Sequence, residues 1–253
     1  MKAVLLAGGE GTRLGPLTVT TNKHLLCLYD RPVIYHAVEK IVSAGIDKIM
    51  LVCSPKYVDH FVRILGSGER FIAQRPNLTG AKKNAQVQIV YGVQNTPNGI
   101  AAGLYIAKEY IGDGDCLLYL GDNIIEDHFE EHMKNFKGGC NVFLKKVAKP
   151  SSYGIAEVDR SGKVISLEEK PKKPKSNLAV TGLYMYDRTV FIKMLKQKKS
   201  ARGEYEITDL NKMYLAEGTL KAVRLKKPWF DVGTFDDLLD ASIYLRNKKR
   251  RAL

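Results

Sequence analysis

Gly8, Gly9 and Gly11, with Arg13 and Lys23 just behind them, are the first residues in the chain whose types and spacing could do chemistry. They follow an apolar run, Ala3-Val4-Leu5-Leu6-Ala7. Glycines tolerate positive φ and let main-chain N–H groups approach a ligand, so a strand feeding such a loop suits an anion cradle. Arg13 and Lys23 add the fixed positive charge that a polyphosphate requires. Two familiar phosphate loops are excluded. The dinucleotide fingerprint needs a third glycine where Leu14 stands, and a P-loop needs Gly-Lys-Ser/Thr, which is missing here. Taken alone, the loop is equally compatible with a tight turn that binds nothing.

Two acids stand out further along. Asp122 follows the apolar run Cys116-Leu117-Leu118-Tyr119-Leu120 and Gly121. A carboxylate just past a buried parallel strand lies at the sheet edge where α/β proteins bind ligands, which makes Asp122 a candidate metal ligand. Asp231 is a second isolated acid, in the apolar turn Trp229-Phe230-Asp231-Val232-Gly233. Between them in kind is Gln94, a few residues before Pro97-Asn98-Gly99. That turn places an amide side chain and backbone N–H groups at a helix start, where they serve either a planar base or an N-terminal cap. His128-Phe129-Glu130-Glu131-His132 matches the H-x-x-E-H zinc spacing, with both histidines on one helix face. Acids crowd it and no third ligand accompanies it, so it reads as a solvated acidic helix.

The elements that must position these residues alternate. A strand from Ala3, a helix over 33–44, a strand over 48–54, a helix over 57–65 and a strand over 87–91 follow βαβ spacing, with a helix over 100–110 and the strand before Asp122 next. Residues 66–84 read as a polar surface excursion. Beyond Cys140 the pattern turns to strands, with Asp159-Arg160-Ser161-Gly162 as a hairpin turn. Helices over 188–197 and 206–216, a strand over 220–225 and a final helix from about Asp236 complete the chain. This predicts an α/β fold, a Rossmann-like, mostly parallel sheet flanked by helices, beside a small antiparallel lobe.

At 253 residues the chain can bury a full core as one domain, and no apolar run approaches membrane-spanning length. The apolar start ends too early at its glycines to be a secretory signal. Cys27, Cys53, Cys116 and Cys140 are widely spaced and read as free thiols in a reducing cytoplasm. The 40 Lys and Arg against 27 Asp and Glu give +13, which suits anionic substrates or nucleic acid. Its basic runs are scattered and carry no interleaved aromatics, which argues against a nucleic-acid partner.

In this order, the chain resembles the sugar-1-phosphate nucleotidyltransferases, most closely the glucose-1-phosphate thymidylyltransferases. The resemblance is carried by Leu6 to Leu14, Asn22 to Leu26, Tyr29 to Tyr35, Leu120 to Asn123, Glu168 to Pro171, Ala179 to Tyr184, Ser200 to Glu204 and Glu206 to Asp209. It implies the reaction NTP + sugar 1-phosphate → NDP-sugar + pyrophosphate, with Mg²⁺. It also implies roles by position. Leu6, Gly8, Gly9, Gly11, Thr12 and Arg13 would hold the nucleotide, Gln94 and Gly99 its base, and Lys23 would lie near the transferring group. Asp122 and Asp231 would hold the metal. Asn123, Tyr153, Gly154, Glu169, Lys170, Val180 and Arg202 would take the sugar phosphate. Residues 1–140 then form mainly the nucleotide half, 141–235 mainly the sugar-phosphate half, and 236–253 a helix with a basic tail.

The chemistry agrees. The attacking phosphate oxygen is ionised at neutral pH, so no general base is required, and catalysis must come from neutralising and aligning two polyanions. Gly15, Cys27 and Asn98 depart from the expected pattern, and Asn98 leaves the base open. A methyl group is worth only about 1–3 kcal/mol in a pocket, so the sequence does not separate dTTP from UTP, and a UTP-dependent pyrophosphorylase making UDP-glucose or UDP-N-acetylglucosamine is the rival reading. The remaining alternative is a non-catalytic sugar-nucleotide binder, against which stand Asp122, Lys170 and Asp231. Longer members continue into a helical segment that contributes to a regulatory nucleotide site and to subunit contacts. The expectation is therefore a chain without that site and with a different homo-oligomer, if it forms one.

Overall fold

The structure, a computed structural model, describes residues 1–74 and 84–251. The first part comprises β1 (Lys2–Ala7), β2 (Cys27–Leu28), β3 (Arg31–Pro32), α1 (Val33–Ser43), β4 (Lys48–Cys53), α2 (Val58–Leu65), β5 (Ile72–Gln74), β6 (Asn84–Gln86), β7 (Gln88–Val93), α3 (Ile100–Tyr105), α4 (Lys108–Ile111), β8 (Cys116–Leu120), β9 (Asn123–Ile125) and α5 (Glu130–Lys134). The second comprises β10 (Cys140–Lys146), β11 (Gly154–Val158), β12 (Val164–Glu169), β13 (Leu178–Tyr186), α6 (Val190–Met194), α7 (Ile207–Ala216), β14 (Leu220–Arg224), β15 (Trp229–Asp231) and α8 (Phe235–Arg251).

β1 is covered on both faces. Its alternation sends Ala3, Leu5 and Ala7 to one side, against Ile34, Ala37, Val38 and Ile41 of α1, and Val4 and Leu6 to the other, with Ala101 and Leu104 of α3. It forms parallel ladders with β4 on one edge and β8 on the other, and β7 extends the sheet beyond β4. The chain thus moves outward from β1 through β4 to β7 and then returns to the opposite edge of β1 as β8. That reversal leaves a crevice at the carboxyl ends of β1 and β8, the place where open α/β sheets bind ligands.

β13 carries the sheet into its antiparallel part. Its residues Leu183–Tyr186 pair with β8, whereas Leu178 and Ala179 pair with β11 of the β11–β12 hairpin. β10 runs along its other edge, followed by β14. The hairpin turn forms where Asp159 and Gly162 predict it: Gly162 has φ +87°, and Asp159 Oδ1 accepts from the Ser161 and Lys163 N–H groups. A small antiparallel pair, β9 with β15, brings two distant segments together, and α8 packs over it through Ile124, Val232 and Ala241.

Three expectations change. The helix over 100–110 is two pieces, because Ala107 N–H turns back to the Leu104 carbonyl, three residues away, which tightens the chain between α3 and α4. The helix over 188–197 shortens to α6: Asp187 Oδ1 ties down the Thr189 N–H at its start, and three-residue turns close its end. α5 begins only at Glu130, so His128 and His132 do not share a helix. The excursion over 66–84 contains β5 and β6, and the part over 75–83 lies outside the described residues.

Leu5 is fully buried at the centre of this sheet. Leu5→Ala should lose about 2–5 kcal/mol in urea unfolding, the usual result of opening a cavity that a rigid sheet cannot close.

Candidate active site

The glycine loop and Asp122 meet at the β1–β8 crevice. Gly121 N–H donates to the Leu6 carbonyl at 2.8 Å, which sets the end of β8 against the start of the loop. Gly11 has φ +67°, and a Cβ there would come within 3.0 Å of both Lys23 Cβ and Thr18 Cγ2, so this turn has no space for a side chain. A Cβ on Gly8 would likewise be crowded, 3.1 Å from Gln94 Oε1. Leu6, Gly8, Gly9, Lys23, Gln94, Pro97, Gly99 and Asp122 line one cleft of about 280 Å³. Gln94 Nε2 donates to Asn98 Oδ1 and the Gly99 carbonyl, at 3.2 and 3.3 Å.

A second cleft, of about 210 Å³, lies on the other side of Asp122. Arg13, Asp122, Asn123, Tyr153, Gly154, Glu169, Lys170, Val180 and Asp231 all line it. Ile100, Leu120 and Asp122 belong to both clefts. Lys170 adopts φ +42°, an unfavourable conformation for a lysine, with its N–H donated to the Tyr153 carbonyl at 3.0 Å. Glu169 Oε2 accepts from Thr208 Oγ1 at 2.5 Å. Arg202 stands at the rim, 43% exposed, among Glu169, Glu204 and Glu206 at 3.0–3.9 Å.

Asp231 reaches Asp122 through the β9–β15 pair. Asp231 lies opposite Asn123 in register, and Val232 N–H donates to the Asp122 carbonyl at 2.9 Å. Asn123 is the buried hub of this corner. Its amide donates to Asp122 Oδ1 at 2.8 Å, and its oxygen accepts from Gly182 N–H at 2.9 Å and Trp229 Nε1 at 2.6 Å. A Cβ on Gly182 would come within 2.5 Å of that amide, so glycine is required on β13 here.

The two acids answer their burial differently. Burial acts to raise the Asp122 pKa, but the Lys23 ammonium, which donates to its Oδ2, outweighs this and the net direction is down. His24 does not contribute to that balance near neutrality. Burial, and then Lys23, push its own pKa down to about 3, leaving a neutral ring whose Nδ1 lies 2.6 Å from Asn22 Oδ1. Asp231 moves the other way, well above the usual carboxylate range, first through burial and second through the charge of Asp122. A pair of buried oxygen donors in mutual repulsion is what a hard divalent cation relieves. Among the described residues no group of three or more His, Cys, Asp or Glu is gathered, so a cation at this pair would complete its shell with water or phosphate oxygens.

Most of the sequence-predicted residues therefore gather at two adjoining clefts, whereas Gly11, the exposed Thr12 and Arg202 line neither. Ile100, Thr208, Trp229 and Glu206 line the second cleft without having been singled out as site residues. Trp229 could have been found from its place two residues before Asp231; Glu206 and Thr208 lie in the Glu206–Asp209 stretch that carries the resemblance, but their place beside Glu169 follows only from the packing of α7 on β12. A larger hollow of about 530 Å³ lies behind the Gln94–Asn98 loop, lined by Val93, Tyr105, Ile106, Met194, Leu195 and Tyr205 among others. Neither a carboxylate nor a cation lines it, in contrast to the two smaller clefts.

The family model described as nucleotidyl transferase matches residues 2–248. The chain belongs to the sugar-1-phosphate nucleotidyltransferases. It is 42% identical to the glucose-1-phosphate thymidylyltransferase of Mycolicibacterium smegmatis, over 99% of this chain and 84% of the relative. It is 39% identical to the enzyme of that name from Neisseria gonorrhoeae, over 97% and 83%. A Bacillus anthracis crystal structure, described as a glucose-1-phosphate thymidylyltransferase in complex with a sucrose, superposes with a TM-score of 0.87 at 40% identity, covering 97% of this chain and 95% of that one. This nucleotidyltransferase has no helix, among the described residues, long and apolar enough to cross a membrane.

The Asp231 carboxyl holds its proton to higher pH when folded than when unfolded, so the stability it contributes as an acid is lost as pH rises above its ordinary value of 3.8. Asp231→Asn escapes that loss. Thermal melts of the metal-free protein should show the variant gaining on wild type from pH 4 to neutrality, about, with a saturating divalent cation narrowing the gap.

Proposed function

We propose that the chain transfers a thymidylyl group from dTTP to glucose 1-phosphate, releasing pyrophosphate, and works as one domain in the cytoplasm. The observation that carries this reading is the sharing of Asp122 by two clefts, one against the glycine loop and one against Lys170. Such an arrangement suits two phosphate-bearing substrates brought end to end. The names of the relatives support the choice of dTTP and glucose 1-phosphate.

In this reading the Gly8–Arg13 loop and Lys23 take the triphosphate, while Gln94 and Gly99 face its base. Lys170, Arg202 and Glu169 take the sugar phosphate and sugar, beside Asn123, Tyr153, Gly154 and Val180. An oxygen of the sugar phosphate attacks the α-phosphorus in line, and the bond to the bridging oxygen of pyrophosphate breaks. No proton has to be removed from the nucleophile. Asp122 and Asp231 hold Mg²⁺, which would neutralise phosphate charge when bound. Arg13 and Lys170 neutralise charge from the protein side and keep the two anions aligned, which dominates such transfers.

Pyrophosphate release with dTTP, UTP, CTP, ATP and GTP, each against a panel of sugar 1-phosphates, tests the assignment. dTTP with glucose 1-phosphate should give the highest kcat/KM; preference for UTP would reassign the chain to UDP-sugar synthesis, and no release from any pair would defeat the reading. Asp122→Asn, Asp231→Asn and Lys170→Ala should each lower kcat/KM by roughly 10²–10³ while remaining folded by circular dichroism.

A further inference from the structure

Lys23 and Asp122 pose a conflict. In the ligand-free protein the Lys23 ammonium donates to Asp122 Oδ2, and the two side chains are only 13% and 14% exposed. Asp122 Oδ1 is taken by the Asn123 amide at 2.8 Å. Both oxygens of a proposed metal ligand are therefore engaged. The Asn123 contact is the fixed one, because Gly182 and Trp229 hold the same amide from two other strands. The lysine is the one that can leave.

It also has somewhere to go. Its stem runs beneath the glycine loop: a Cβ on Gly9 would lie 3.3 Å from Lys23 Cε and 3.6 Å from Nζ. Lys23 lines the cleft on the Gly8 side and is absent from the lining of the Lys170 side. Rotation about its terminal bonds carries the ammonium from Asp122 toward the loop without leaving that cleft. Asp231, by contrast, makes no side-chain ion pair or hydrogen bond with another described residue; the Lys23 and Arg13 charges act on it only from a distance, so Lys23 is bonded to just one of the two carboxylates.

We propose that Lys23 is a built-in counter-ion that keeps the metal site closed until a triphosphate arrives. The ammonium neutralises Asp122 in the free protein and passes to the triphosphate when a divalent cation takes over that carboxylate. Metal alone then binds weakly, since it must displace a cation, and metal and nucleotide favour each other's binding by the same factor. This rests on reading Asp122 and Asp231 as the metal pair.

Mn²⁺ binding to the nucleotide-free protein, followed by electron paramagnetic resonance of the free ion, tests it directly. Lys23→Met should bind Mn²⁺ at least about tenfold more tightly than wild type, since it removes a like charge from the site. Lys23→Gln serves as a second neutral variant, and Lys23→Arg, which keeps the charge, should stay near wild type. Asp122→Asn should abolish the tight binding of Lys23→Met in the double variant. Equal Mn²⁺ affinity in wild type and both neutral variants would overturn the counter-ion while leaving the metal pair standing. Failure of every form to bind Mn²⁺ in an Asp122-dependent way would overturn both.

Discussion

Two carboxylates set side by side in a poorly solvated corner are the constraint on which the rest of this structure depends. Unit charges about 4 Å apart repel by roughly 1 kcal/mol in bulk water and about 4 kcal/mol at an effective dielectric of 20. Removing them from water costs more still. The protein assembles that corner from two separate stretches of its sequence, with Asp122 after β8 in the middle of the chain and Asp231 at the end of β15. It then stiffens it through Asn123, which bonds to β13, to Trp229 and to Asp122 itself. A pliable corner would relieve the repulsion by letting the acids separate. This one keeps them together, so relief comes from a proton retained on Asp231 and from positive charge beside Asp122.

That requirement explains the surroundings. Lys23 arrives from below the glycine loop, and Arg13 packs onto Gly233, where a Cβ would meet its guanidinium at 2.7 Å. Little of the +13 net charge is spent there. Much of the remainder is on the surface, where Lys248 pairs with Glu126, Lys249 with Asp30, and Lys145 reaches the carbonyls of residues 225–227. Exposed pairs of this kind contribute little each to stability. Within each such pair the charges cancel; it is the excess of Lys and Arg over Asp and Glu that leaves a positive field around the molecule, which favours the approach of anions.

Much of this could be read from the chain, and the limits have physical causes. Alternation in β1 and the 3–4 spacing of α1 are local, so their buried faces follow from residue order. The glycine loop and Asp122 are legible because strand ends announce themselves by composition. The helix breaks near Ala107 and after Met194 are not, since they arise from single backbone bonds that no residue type demands. The partnership of Asp122 with Asp231 comes from a three-residue ladder between segments about a hundred positions apart, and it was legible only through resemblance to a family. Thr208 illustrates the same limit: its hydroxyl meets Glu169 because α7 packs on β12, a contact decided by tertiary structure.

β13 has a consequence for what the protein accepts. Nine residues long, it is paired at one end with β8 and at the other with β11, and Val180 to Gly182 line the second cleft along the way. It therefore acts as a caliper. The separation between the β8 end of the second cleft and its β11 end is set by a hydrogen-bonded strand at about 3.4 Å per residue, not by adaptable side chains. Selection along that direction works by length. On the proposed reading, a substrate of the wrong span would meet backbone there, whereas side-chain changes at Val180 would leave the spacing from Asp122 unchanged.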